Sequence, residues 1–191
     1  MALACLAAEA EPAATKLARQ GYALLDGSDV DLGATLAAFG RLQAAAERPV
    51  EIPPEHPLVA ALLDQTAVAA LLAEALGQTA RVVNAQAIDQ ADQLPVSWRQ
   101  AGRPGETGLG LQWHLDLIGP ADGALRVLPA SHRHGRLSLE QIAALALELP
   151  ALELPVSAGT VLAIDPLVVR GCRRRTTRGP RRVLQVELAR A

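Results

Sequence analysis

From Arg81 onward the chain breaks into short apolar segments bounded by glycine and proline, and this texture most constrains its fold. Segments of β type fall at 81–88, 95–99, 109–118, 123–128, 153–156, 160–164, 166–171 and 181–189. One helical pattern interrupts them. Ser138-Leu-Glu-Gln141 is a capping box, and apolar positions run on through Leu149. Many short strands with few helices predict a sandwich or jelly roll. Before Arg81 the pattern is helical. Leu3, Leu6, Ala7, Ala10, Ala14 and Leu17 recur at helical spacing, and Gly21 stops that helix. Tyr22–Leu25 reads as a strand. Asp26-Gly-Ser-Asp29 reads as a turn, with Ser28 or Asp29 capping a helix near 30–47. Prolines 49, 53, 54 and 57 break the pattern, and a third helix is expected over about 57–76, ending at Gly77.

No internal repeat or low-complexity linker divides the 191 residues, so a single domain is expected over 1–191. Residues 1–80 would form a mostly helical layer and residues 81–191 a β core. The formal net charge of −2 argues against a general nucleic-acid binder. That charge is unevenly placed. Residues 1–95 carry twelve acids and five bases, a net of −7; residues 96–191 carry eight acids and thirteen bases, a net of +5. An anionic ligand is therefore expected on the second half. Lys16 stands alone against seventeen arginines, a bias that suggests a high-GC bacterial coding sequence. Cys5 and Cys172, far apart, form neither a disulfide framework nor a zinc site and suit a reduced, cytoplasmic setting. Met1–Ala14 contains Glu9 and Glu11 without a basic start and does not read as a secretory signal. No apolar run approaches the ~18 residues of a membrane span.

The segment Gly123-Ala-Leu-Arg-Val-Leu-Pro-Ala-Ser-His-Arg-His-Gly-Arg-Leu-Ser138 resembles the "NGALRVxPGSHRxGRLS" signature of the phytanoyl-CoA dioxygenase family. Gln20–Leu25 is similar to that family's opening "xGYxxL" strand. Pro166–Gly171 followed by Arg181–Ala189 is similar to "RPLLLHAS…RRVLHLEFA". The resemblance covers most of the chain. It implies a double-stranded β-helix, a cupin-like jelly roll, mainly β with N-terminal helices. It also implies an enzyme that uses Fe(II) and 2-oxoglutarate.

In that family two histidines and a carboxylate hold the iron. The distal histidine of "PLLLHAS" corresponds to Arg170, and no histidine follows His134. The His-x-Asp pair has two placements. His114-Leu-Asp116 has the right spacing. Leu111–Asp116, however, matches better a later family element, "LRLHLD", that does not bind iron. The iron-binding "PWHQD" then falls on Val96–Ala101, with Arg99 for the histidine and Ala101 for the aspartate. Loop 101–110 would be a shortened family insertion, leaving a more open pocket mouth. Arg181 corresponds to the arginine that grips 2-oxoglutarate, and Arg182 takes that role if the register shifts by one.

Arginine stays protonated and offers a metal no lone pair. Arg99 and Arg170 as catalytic or charge-stabilising groups, with Arg181, Arg182, His114 and Asp116 as ligand-binding groups, therefore predict an anion site without metal or other cofactor. His132 is read as ordering a turn, with His-x-His132–His134 as a weaker metal candidate. Seven arginines between Arg170 and Arg182 read largely as a solvated loop, with phosphate or coenzyme A binding as the alternative. Trp98 and Trp113 read as core, Trp98 facing outward if Arg99 faces the pocket.

Three functions follow. The first is a degenerate family member that binds an anionic small molecule in the old active site and catalyses a redox-neutral biosynthetic step. The second is a non-catalytic subunit partnering an active oxygenase paralogue; as for assembly, a homodimer or a heteromer with such a paralogue is expected. The third is a working Fe(II)/2-oxoglutarate oxygenase using His114 and Asp116.

Overall fold

The computed structural model describes residues 11–45, 49–77, 80–89, 96–101 and 108–190. Its core is two antiparallel sheets. The larger contains β1 (Tyr22–Leu25), β2 (Val50–Glu51), β3 (Ala80–Asp89), β5 (Leu109–His114), β8 (Val161–Ile164) and β10 (Arg182–Arg190), ordered β1-β8-β5-β10-β3-β2. The smaller contains β4 (Val96–Arg99), β6 (Leu125–Val127), β7 (Leu152–Leu154) and β9 (Arg170–Cys172), ordered β4-β9-β6-β7. With helices on its faces this is the expected jelly roll, a double-stranded β-helix.

Period-two patterning decides which face does what. On β5, Leu109, Leu111 and Trp113 are buried in one large core cluster. Their partners on β10 are Leu188, Val186 and Leu184, in the same cluster. Helices cover this face: α1 (Ala13–Gln20), α2 (Leu32–Ala45), α3 (Pro57–Leu63) and α4 (Thr66–Ala75) contribute Leu17, Phe39, Leu62 and Leu71. The indole of Trp113 donates to the Gly159 carbonyl at 3.0 Å, so the buried N–H is satisfied. The alternate residues Gly110, Gln112 and His114 face the smaller sheet, together with Glu187, Gln185 and Val183 opposite them.

Between the sheets, Leu162 and Ile164 meet Val127 and Leu154. On the outer side of the smaller sheet, α5 (Leu139–Glu148) packs Ile142 against Leu128 and Val169. Ser138 and Gln141 form the capping box: the Ser138 hydroxyl accepts from the Gln141 N–H at 3.2 Å, and the Ser138 N–H donates to Gln141 Oε1 at 2.8 Å.

Several local expectations need correction. The helix over 57–76 is two helices, bent by 74°. Asp29 explains the break: its carboxylate accepts from the Thr66 N–H at 2.9 Å and starts α4. The cap of α2 is Asp31, which accepts from the Ala34 N–H at 3.0 Å. Strand 166–171 is confined to Arg170–Cys172, because Asp165 turns the chain by accepting from the Leu167 N–H at 2.7 Å. The strand over 109–118 ends at His114. The short β2, not expected, pairs with the edge of β3 just before Pro53. Residues of the first helical pattern before Glu11, and most of loop 101–110, lie outside the described residues. Among the described residues no single helix is long and apolar enough to cross a membrane.

Candidate active site

Arg99, the last residue of β4, is the direct cross-strand partner of Arg170, the first of β9. Such partners project to one side of a sheet. Both line a cavity of about 290 Å³ between the two sheets, together with Ala101, Cys172 and Arg181. Alternation along β4 places the neighbours elsewhere. Trp98 packs with the α5 cluster, its ring 4.9 Å from the Arg126 guanidinium carbon. The Gln100 amide donates to the Gly135 and Leu167 carbonyls, both at 2.7 Å, and accepts from the Leu137 N–H at 2.9 Å. Gln100 therefore pins the strand from behind while Arg99 and Ala101 face the cavity. The strands run close: a Cβ on Gly171 would lie 2.8 Å from the Val96 carbonyl oxygen.

The three arginines differ in setting. Arg99 is exposed, at the cavity mouth. Arg170 is 9 % exposed, and its guanidinium makes no hydrogen bond or ion pair among the described residues. Its burial, and then the charge of Arg99, push it down to about 10, with Glu187 and Asp165 opposing. Arg181 is 3 % exposed and anchored: its N–H donates to Asp89 Oδ1 at 3.2 Å and its Nη1 to the Asp122 carbonyl at 3.3 Å. Burial is the main cause holding it below the ordinary arginine range. The larger sheet supplies the facing wall, with Gln112 from β5 and Gln185 and Glu187 from β10. Sequence reading missed these three. Their signal was polar residues at alternate positions of otherwise apolar strands.

The remaining candidates lie elsewhere. Arg182 donates to Asp116 through its backbone N–H at 2.7 Å, Nε at 3.0 Å and Nη2 at 2.5 Å. Neither residue lines the cavity. Burial raises the Asp116 carboxyl, but hydrogen bonds from Arg182 outweigh it and hold the group below the usual range. His114 is 4 % exposed, and neither ring nitrogen has a hydrogen-bond partner among the described residues. His114 and Asp116 thus do not bond to each other. Burial first, then Arg181, push the imidazole down to about 4, with Asp116 opposing. His132 lies in the 3-10 turn Ser131–His134, its Nε2 3.2 Å from the Ala18 carbonyl, tying the turn to α1. Cys5 lies outside the described residues.

Solved structures of similar fold sharpen the comparison. The epimerase SnoN, solved in complex with Fe3+, alpha ketoglutarate and nogalamycin RO, aligns with TM-score 0.77 and 18 % identity over 94 % of this chain and 82 % of SnoN. EctD from S. alaskensis with bound Fe aligns with TM-score 0.76 and 20 % identity over 94 % and 76 % of the two chains. AviO1 from Streptomyces viridochromogenes Tue57 aligns with TM-score 0.72 and 21 % identity over 93 % of each. A comparison with curated proteins found no match.

These relatives correct the expectation of no cofactor. SnoN was solved with iron and alpha ketoglutarate, and EctD with iron, so the sequence-based argument against any cofactor does not stand. The two groups fit this cavity unequally. No three His, Cys, Asp or Glu side chains gather around one point among the described residues, and three guanidiniums line the cavity beside Glu187 and Cys172. That set does not fit iron, since guanidiniums repel a dication and lend it no lone pair. It does fit a carboxylate, which a guanidinium fork binds through two parallel hydrogen bonds. The family model for phytanoyl-CoA dioxygenase (PhyH) matches residues 17–183, and the chain belongs to that family.

Proposed function

We propose that the chain binds an anionic small molecule, one bearing a carboxylate, in the cavity between its sheets. The observation that carries this reading is Arg170. A buried cation without a hydrogen-bonding or ion-pairing partner is costly, and Arg99 beside it adds repulsion. An anion between the two relieves both penalties. Gln112 and Gln185 offer amide donors and acceptors to the neutral part of such a ligand. The alpha ketoglutarate of SnoN makes 2-oxoglutarate the first ligand to try.

Isothermal titration of the purified protein with 2-oxoglutarate, succinate and inorganic phosphate, with and without Fe(II), tests this. The expected result is saturable binding of a carboxylate without added metal, lost in Arg170→Met. Binding that appears only with Fe(II) present would overturn the reading.

A further inference from the structure

Among the described residues, Glu187 is the one carboxylate lining the arginine cavity. It comes from β10 of the larger sheet, whereas Arg99 and Arg170 come from β4 and β9 of the smaller. The acid and the two cations thus face each other from opposite walls. Among the described residues, Glu187 nevertheless forms no ion pair with Arg99, Arg170 or Arg181 and no side-chain hydrogen bond. Opposite charges in one small cavity close on each other unless the backbone holds them apart. Here the backbone does so, because each residue is fixed in a strand ladder: Glu187 opposite Gly110, and Arg170 opposite Arg99. Gly110 has no side chain to fill the space beside Glu187, and the carboxylate also borders the narrow recess running to Ala101 and Pro166.

We propose that Glu187 is a catalytic base that removes a proton from carbon next to the carbonyl of a 2-oxo acid held on the Arg99–Arg170 wall. The inference rests on the anion-binding reading and deepens it to a substrate class and a step. Bound by its carboxylate, a 2-oxo acid presents its carbonyl oxygen toward the guanidiniums and its adjacent C–H toward the other wall. The C–H proton passes to a Glu187 oxygen. The electron pair of that bond becomes the new carbon–carbon double bond, and the carbonyl oxygen takes up the negative charge. Arg170 and Arg99 stabilise this enolate. Return of the proton to carbon, on either face, completes the cycle. Nothing is oxidised or reduced, and no co-reactant is consumed. The overall reaction is an isomerisation, an epimerisation or, with an unreactive probe, exchange with solvent.

The test is exchange of the C3 methylene protons of 2-oxoglutarate in D2O, followed by proton NMR, alongside titration calorimetry of the same samples. The wild-type protein is expected to bind the probe and to speed exchange about 100-fold over buffer. Glu187→Gln is expected to bind at least as tightly, having lost a negative charge, and to exchange at the buffer rate. Glu187→Asp, which keeps the acid but withdraws it, is expected to bind with slowed exchange and serves if the glutamine variant misfolds. Binding without accelerated exchange in the wild type overturns the role of Glu187, as does full exchange in Glu187→Gln. Absence of binding in the wild type instead overturns the anion-binding reading beneath it.

Discussion

Arg182 grips Asp116 with three donors: its backbone N–H, Nε and Nη2. The pair joins the start of β10 to the chain just past the end of β5, neighbours in the larger sheet. Asp116 spends both oxygens there, so the sequence His114-Leu-Asp116 does not present two ligands to one point. The arginine one position earlier points into the cavity. Adjacent residues thus serve opposite purposes, Arg182 the frame and Arg181 the site.

Asp116→Asn is expected to cost about 1 kcal/mol at pH 7, since the pair is partly exposed and screened. The pH dependence identifies the cause. A carboxyl held below its unfolded value stabilises the fold above that value, and loses the contribution as pH falls through its folded value. Chemical denaturation between pH 7 and pH 3 should therefore show the acid-side loss shrinking in the variant.

His114 titrates with the opposite proton preference from a paired histidine. Its folded value is about 4 against an ordinary 6.5. The unfolded chain takes up the proton first, so stability is complete above pH 6.5, falls as pH drops toward 4, and levels below. The full effect is about 3 kcal/mol. In His114→Leu that slope should disappear from the denaturation profile, with little change at pH 7, because the ring nitrogens have no bonds to lose.

Arg170→Met should stabilise the ligand-free protein by about 1–3 kcal/mol, read as a rise in thermal midpoint, because an unpaired buried charge gives way to an apolar chain of similar length. A fall in midpoint would mean that the cation is satisfied within the fold.

Gly21→Ala should be strongly destabilising, by about 2–4 kcal/mol in denaturant titration. Gly21 ends α1 with φ +82°, and a Cβ there would collide with Val168 and with the His132 ring. The position thus couples the first helix to the turn before α5, and Ala18 receives His132 from the other side.

How far these features were legible depends on the range of the interaction behind them. The β texture after Arg81, the capping box at Ser138 and the stop at Gly21 are local, and the chain carries them openly. The break between α3 and α4 was not legible, because the cap comes from Asp29, 37 residues upstream. Arg99, Arg170 and Arg181 stood out because arginine replaces or matches a motif residue. Glu187, Gln112 and Gln185 did not, because their meaning lies in strand register: Gln185 opposite Gln112, Glu187 opposite Gly110. The fate of Asp116 was also hidden, since the His-x-Asp spacing says nothing of which side chain claims the carboxylate.

The close approach at Gly171 has a consequence for how such a protein can change. Because Gly171 lets β9 lie against Val96, the gap between Arg99 and Arg170 is a main-chain dimension, not a side-chain one. That spacing is constant while the two side chains that stand side by side on it are interchangeable. A lineage, or an engineer, can therefore swap the charge of the site one residue at a time without rebuilding its walls, so long as position 171 stays bare.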